Sequence, residues 1–202
     1  MARDGRYKVQ LRRRREGRTD YALRESLIRS GKPRLVLRKS NKHFRAQIIT
    51  SSPHGDTVHI NAHSSELVNF GWTYSCGNLS AAYLTGLLLA KKSKKAGFPK
   101  TESVLDSGLN TKVYGSRIFA ALKGVVDGEF NIRVGNDRVK ERNKRGIFPP
   151  EERIDGTTVV NYAKFLKENN QEALKKQFSG KRDPSKITSV FKKTKEAIIK
   201  MN

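Results

Sequence analysis

Cysteine is almost missing from this chain. Cys76 stands alone among 202 residues, so no disulfide can form within it, and the pattern fits a reducing compartment. Long apolar runs are missing too. The longest, over 79–90, is broken by Ser80 and Thr85 and falls well short of the roughly 20 residues that cross a bilayer. The N-terminus is basic but no apolar stretch follows it, so no secretory signal is expected. Hydrophobic residues make up 36 %, below the roughly 45–50 % usual for globular chains, so a modest core with long polar appendages is expected. The scarcest class for its importance is acid: 19 Asp and Glu face 42 Lys and Arg, a formal net charge of +23.

That imbalance is the main thing present. A compact fold does not need it, and self-repulsion makes it a cost unless a partner offsets it. Phosphate polyanions are the usual partner, because each Lys or Arg that meets a phosphate releases condensed counterions. A merely solvated surface would intersperse its charges, whereas here they cluster. The chain divides by composition into a basic N-terminal tail (1–18), an α/β core (19–130) and a basic C-terminal extension with helices (131–202). The tail holds Lys8, Arg12, Arg13, Arg14, Arg15 and Arg18 against Asp4 and Glu16, with too few apolar residues to bury a helix face. It is expected to order only against a partner.

The core patterning is clear. Thr19 or Asp20 can cap a short helix over 19–30, stopped by Gly31 and Pro33. Arg34–Lys39 alternates, with Leu35 and Leu37 on one face and Arg34, Val36 and Arg38 on the other. A turn at 40–42 leads to a second strand over 44–50. A third spans 57–62, with Val58, Ile60 and Ala62 on one face, completing an antiparallel meander. Asn78 opens a strong helix to about Lys95, closed by Gly97 and Pro99. A short fourth strand over 101–106 and an amphipathic helix over 116–126 follow. The order β-β-β-α-β-α predicts a mixed sheet with flanking helices. Beyond Phe130 the core patterning stops. Five basic residues surround Glu141 over 138–145, and helices are expected over 158–178 and Ile187–Ile199. The last has an apolar stripe opposite lysines, which suits either protein core or a polyanion surface.

Several constellations carry chemistry. Arg12 to Arg15 can fork onto phosphates and stack on bases in folded RNA, the alternative being a disordered localisation tail. A second basic site surrounds the first hairpin, with Arg34, Arg38, Lys39, Lys42, His43 and Arg45 beside Phe44; the alternative is an ordinary polar sheet face. Gly115-Ser116-Arg117 opens a helix whose N–H groups either hold a phosphate or form a plain cap. The segment 71–74 (GWTY) reads as a packed connection ahead of the long helix. His59, His63 and Cys76 are too irregularly spaced for a strong zinc signal, and nothing marks Cys76 as a nucleophile. A metal-dependent RNA nuclease of ribonuclease H-like outline shares the element order, but its chemistry needs converging carboxylates. Asp106 would stand alone, and the first strand carries no acid.

Five segments are more specific than any of this. The stretch 34–49 (RLVLRKSNKHFRAQII) resembles the first hairpin of the universal 5S-rRNA-binding family numbered eighteen in the large ribosomal subunit. The stretches 78–90 (NLSAAYLTGLLLA), 105–109 (LDSGL), 115–124 (GSRIFAALKG) and 148–153 (FPPEER) resemble its archaeal and eukaryotic branch. The resemblance implies a translational-machinery type core, related in outline to the ribonuclease H-like fold but lacking its acids, and no catalysis or cofactor. It implies a cytoplasmic protein in the ribosome that binds 5S rRNA in the central protuberance, with tails reaching large-subunit rRNA and neighbouring proteins and no membrane partner. Carried over residue by residue, it implies RNA contacts from the hairpin at Arg38, Lys39, Asn41, Lys42, His43 and Arg45. The arm adds Tyr7, Lys8, Arg12, Arg13, Arg14, Arg15 and Arg18, and a loop adds Lys112, Tyr114 and Arg117.

Overall fold

A single turn of helix at Arg12–Arg15 (α1) and a helix at Tyr21–Arg29 (α2) precede the sheet, in a computed structural model describing residues 5, 7–99, 101–134, 147–178 and 183–201. Strands Arg34–Lys39 (β1), Phe44–Ser52 (β2) and Gly55–His63 (β3) form the expected meander, and Val104–Asp106 (β4) lies parallel to β1, giving the order β3-β2-β1-β4. Leu35, Leu37, Phe44, Ala46, Ile48, Ile60 and Ala62 all point to one buried face. Val58 departs from the expectation and is exposed. The ladder pairs Ile48 with Ile60 but Ile49 with Val58, so His59 is an extra residue and the alternation flips across it, as a bulge requires.

A 3-10 helix at Ser64–Phe70 carries the chain off the sheet. The His63 side chain accepts from its N-terminal N–H groups while Glu66 accepts from the His63 N–H at 3.0 Å, a reciprocal cap. Gly71 closes it with a left-handed backbone, and Trp72 is buried, so the GWTY segment is indeed a packed connection. Asn78 then caps Leu79–Ala96 (α3) by accepting from Ala81 N–H at 2.7 Å.

Helix α3 is buried around nearly its whole girth from Ser80 to Ala90, more than the one-faced stripe its sequence suggests. It packs against β2 and β3 on one side, the helix Arg117–Asp127 (α4) on another, and the C-terminal helix on a third. The α3–α4 crossing is close because it is made of small residues. A Cβ on Gly86 would fall 2.1 Å from the Ala121 carbonyl oxygen, and one on Gly124 2.1 Å from that of Tyr83.

The apolar pattern expected to end at Phe130 in fact continues. Helices Glu151–Ile154 (α5), Thr157–Asn169 (α6), Gln171–Gln177 (α7) and Ile187–Ile199 (α8) follow, and Ile147, Ile154, Ile187, Phe191 and Ile198 join the same core cluster. The helix expected over 158–178 is two, divided at Asn170, whose side chain caps the second. The stripe on α8 faces protein: the Phe191 ring lies 5.7 Å from that of Tyr83 on α3. The stripe itself was visible in the sequence, but the lysines opposite it suited a polyanion surface equally well, so the side it faces was not. The basic run at 138–145 lies outside the described residues.

Candidate nucleic-acid interface

Two strand arginines expected to share a ligand-facing surface have different fates. Arg34 is only 2 % exposed. It donates to Asp106 Oδ2 at 3.1 Å and to Ser51 Oγ at 2.9 Å, and its Nη2 lies 2.8 Å from Asp56 Oδ2. Asp56 also receives both ends of the Arg24 fork, each at 2.9 Å. The result is an alternating chain, Arg24–Asp56–Arg34–Asp106–Arg38, that ties α2, β3, β1 and β4 together. Arg34 therefore belongs to the interior and not to a ligand surface. Burial would raise the Asp56 carboxyl, but hydrogen bonds from Arg24, Arg34 and Ser51, with the charge of Arg34, outweigh it and hold that carboxyl far below its ordinary value.

Asp106, the one acid suited to a nuclease, is held between two guanidinium groups. Its oxygens are occupied, and no group of three His, Cys, Asp or Glu side chains among the described residues is placed to hold a metal ion. His59 stacks on Phe98 at 4.3 Å and bonds Thr50, and His63 caps the 3-10 helix.

Arg38 is the outer end of the chain of charges, with 42 % of its side chain exposed. Past it the hairpin turns tightly: Ser40 N–H and Oγ both donate to the His43 carbonyl, at 2.9 and 3.0 Å. Lys39, Asn41, Lys42 and His43 are exposed around this turn, and Arg45 follows on β2 opposite Arg38. The turn is stapled from outside. Arg117, at the start of α4, donates through Nη1 to the Ser40 carbonyl at 3.1 Å and the Gly77 carbonyl at 2.7 Å. The His43 and His63 rings lie 5.0 Å apart. Burial, followed by the charges of His43 and Arg45 and against that of Glu66, lowers the His63 pKa.

The arm is more ordered than its composition suggests. α1 is one turn whose Arg12 Nε donates to Glu16 at 2.9 Å, while Arg13 Nε donates to Thr19 Oγ1 at 2.9 Å and Arg18 pairs with the same Glu16 at 3.2 Å. Arg14 and Arg15 have no partner among the described residues and, with Tyr7 and Lys8, are exposed. Asp20 rather than Thr19 caps α2, accepting from Ala22 and Leu23 N–H.

The arm, α2 and Arg38 meet around an open groove of about 730 Å³, and residues 39–45 of the hairpin turn are not among its walls. Arg13, Arg18, Arg24 and Arg38 line it together with Leu109 and Asn110 of the loop after β4. Lys112 and Tyr114 sit further along that loop, with Tyr114 packed on Phe119 at 5.3 Å between ring centroids beside a separate apolar cleft of about 290 Å³. Ser116 makes no side-chain cap to α4. The residues that sequence reasoning missed are Arg24, Asp56 and Gly108. Asp56 and Arg24 are 32 positions apart, and nothing in either neighbourhood signals the other.

The family described as "Ribosomal large subunit proteins 60S L5, and 50S L18" matches residues 5–98. The large ribosomal subunit protein uL18 of Thermofilum pendens is 44 % identical over 202 residues, covering 98 % of this chain and 97 % of the relative.

Proposed function

The chain belongs to the uL18 family of large-subunit ribosomal proteins, archaeal type, and from that premise we propose that it binds 5S rRNA and anchors it in the central protuberance. Membership makes it a structural constituent of the large ribosomal subunit, a non-enzymatic rRNA-binding protein among ribosomal proteins. The observation that carries the finer reading is convergence. Arg13 and Arg18 of the arm, Arg24 of α2 and Arg38 of β1 come together on one grooved face, with Leu109 and Asn110 of the loop after β4 beside them.

On this reading the exposed hairpin residues Lys39, Asn41, Lys42, His43 and Arg45 meet the RNA backbone, with Arg38 at the groove wall. Tyr7, Lys8, Arg14 and Arg15 of the arm, with Arg12, Arg13 and Arg18, follow it outward. Lys112 and Tyr114 extend the surface. Arg117 contributes through its shape: by holding the Ser40 carbonyl it fixes the turn that presents Asn41 and Lys42. Contacts of this kind read phosphate, 2′-OH and shape more than base identity.

A gel-shift titration of the full chain against 5S rRNA, with tRNA as competitor and salt varied, tests the reading. Tight binding that tRNA does not displace, and that weakens steeply with salt, is expected. Displacement by an equal mass of tRNA would reduce the surface to non-specific affinity and overturn the 5S assignment.

A further inference from the structure

The end of β4 and the turn that follows it (105–109, LDSGL) hold Arg34 in the interior, and they do something more specific to Arg38. Arg38 Nη1 donates to the Asp106 carbonyl at 2.7 Å and to the Leu37 carbonyl at 3.0 Å, and Nη2 donates to Asp106 Oδ1 at 2.9 Å. Three of the five guanidinium protons are thereby used. Nε and the second Nη2 proton have no acceptor among the described residues, and on a planar guanidinium they lie along one edge, the side-on fork that meets two oxygens of a phosphate. The carboxylate cannot swing away, because Oδ2 is held by the buried Arg34 and Oδ1 also accepts the Gly108 N–H at 2.9 Å.

Gly108 completes the seat. Its backbone is left-handed, with φ +60°, and a Cβ there would fall 2.8 Å from Arg38 Cζ and 3.1 Å from Nε. Any side chain at 108 would push the guanidinium off the turn. A long cationic side chain at a surface normally loses much rotamer freedom when it binds; here the restriction is already made by the fold.

We propose that Asp106 and Gly108 are positioning residues that hold the Arg38 guanidinium as a preformed fork for a backbone phosphate of rRNA. The proposal rests on the RNA-binding reading above. It gives this turn a role in affinity distinct from its role in the core, and it places one phosphate at the wall of the groove beneath the arm.

Gly108→Ala, Arg38→Gln and the double variant, all in the full chain, test it by titration with a 5S rRNA transcript across a salt series. Each single variant is expected to bind roughly tenfold more weakly, as loss of a charge-assisted hydrogen bond implies, with the slope of log affinity against log salt shallower by about 0.7–0.9. The double variant should bind no worse than Arg38→Gln, because Gly108 acts through Arg38. Gly108→Asn tolerates the left-handed backbone but carries the obstructing Cβ, so it should match Gly108→Ala and separate displacement from backbone strain. Nitrogen-15 NMR of the Arg38 Nε–H in the free protein should show a restricted side chain that becomes mobile in both Gly108 variants. Unchanged affinity of Gly108→Ala, or an equal further loss in the Arg38→Gln background, would overturn the proposal. So would a mobile Arg38 in the unmodified chain. A chain that binds no 5S rRNA while its Arg38 is restricted, and released by Gly108→Ala, would overturn the 5S partner and with it the phosphate contact, leaving the seat itself a structural feature.

Discussion

Asp56 shows how much of this molecule hangs on single side chains. Among the described residues it is the link in the charge chain between α2 and the sheet, receiving the Arg24 fork from one side and Arg34 from the other. Because these partners favour its ionised form, the folded state holds the proton less well than the unfolded chain, where the ordinary value is 3.8. The contribution is therefore fully present above that value and is lost as pH falls through it toward the lower folded value. We predict that the unmodified protein loses stability on acidification below about pH 4 more steeply than Asp56→Asn does. A single fully titrating proton is worth about 1.4 kcal/mol per pH unit, and this carboxyl, being partly exposed, should show only part of that. Chemical denaturation at a series of pH values measures it, and parallel curves for the two proteins would remove Asp56 from the account. The same substitution should loosen α2, whose apolar residues are at most half-buried, and raise amide exchange over Tyr21–Arg29.

At the scale of elements the C-terminal helix is the instructive case. α8 presents Ile187, Phe191, Thr194 and Ile198 to the core and sets the Phe191 ring tilted against that of Tyr83, over which Lys195 Nζ also sits at 5.4 Å. If α8 is an integral layer, Phe191→Ala should cost roughly 3–5 kcal/mol in a single cooperative urea transition. A cost below about 1 kcal/mol, or a separate early transition, would make α8 a peripheral appendage. The sheet and the two inner helices were legible in the sequence because β1 and β2 alternate with period two and α4 repeats with period near 3.6, signals that are local. The full burial of α3 was not legible, since it depends on α8 arriving from 100 residues downstream. Nor was the fate of Arg34: its face of β1 looks solvent-directed until Asp56 and Asp106, from two other strands, close over it. The exposed candidates at the hairpin tip and arm were readable from charge and turn chemistry, whereas the seat under Arg38 required knowing that β4 lies beside β1.

For the molecule as a whole, the question is whether a net charge of +23 acts as a diffuse field or as placed contacts. The acids near the groove do not dilute it by accident: Asp56 and Asp106 are bound within the chain Arg24–Asp56–Arg34–Asp106–Arg38, and Glu16 pairs with Arg12 and Arg18, which leaves Arg14 and Arg15 of the arm uncompensated. Arg14 and Arg15 separate the two possibilities cleanly, because they have no partner among the described residues and are exposed. Replacing both with Gln should leave stability within about 0.5 kcal/mol of the original. If each meets a phosphate, the salt slope of RNA binding should fall by about 1.4–1.8 for the pair. Lys164→Gln with Lys167→Gln on the exposed side of α6 removes the same charge from another element. A field shared over the surface would make the two double variants equivalent, since long-range attraction depends on total charge and is screened within about 10 Å at 0.1 M salt. Placed contacts require the arm variant to lose distinctly more of its slope, and equal slopes would move the arm from the interface to the diffuse atmosphere around it.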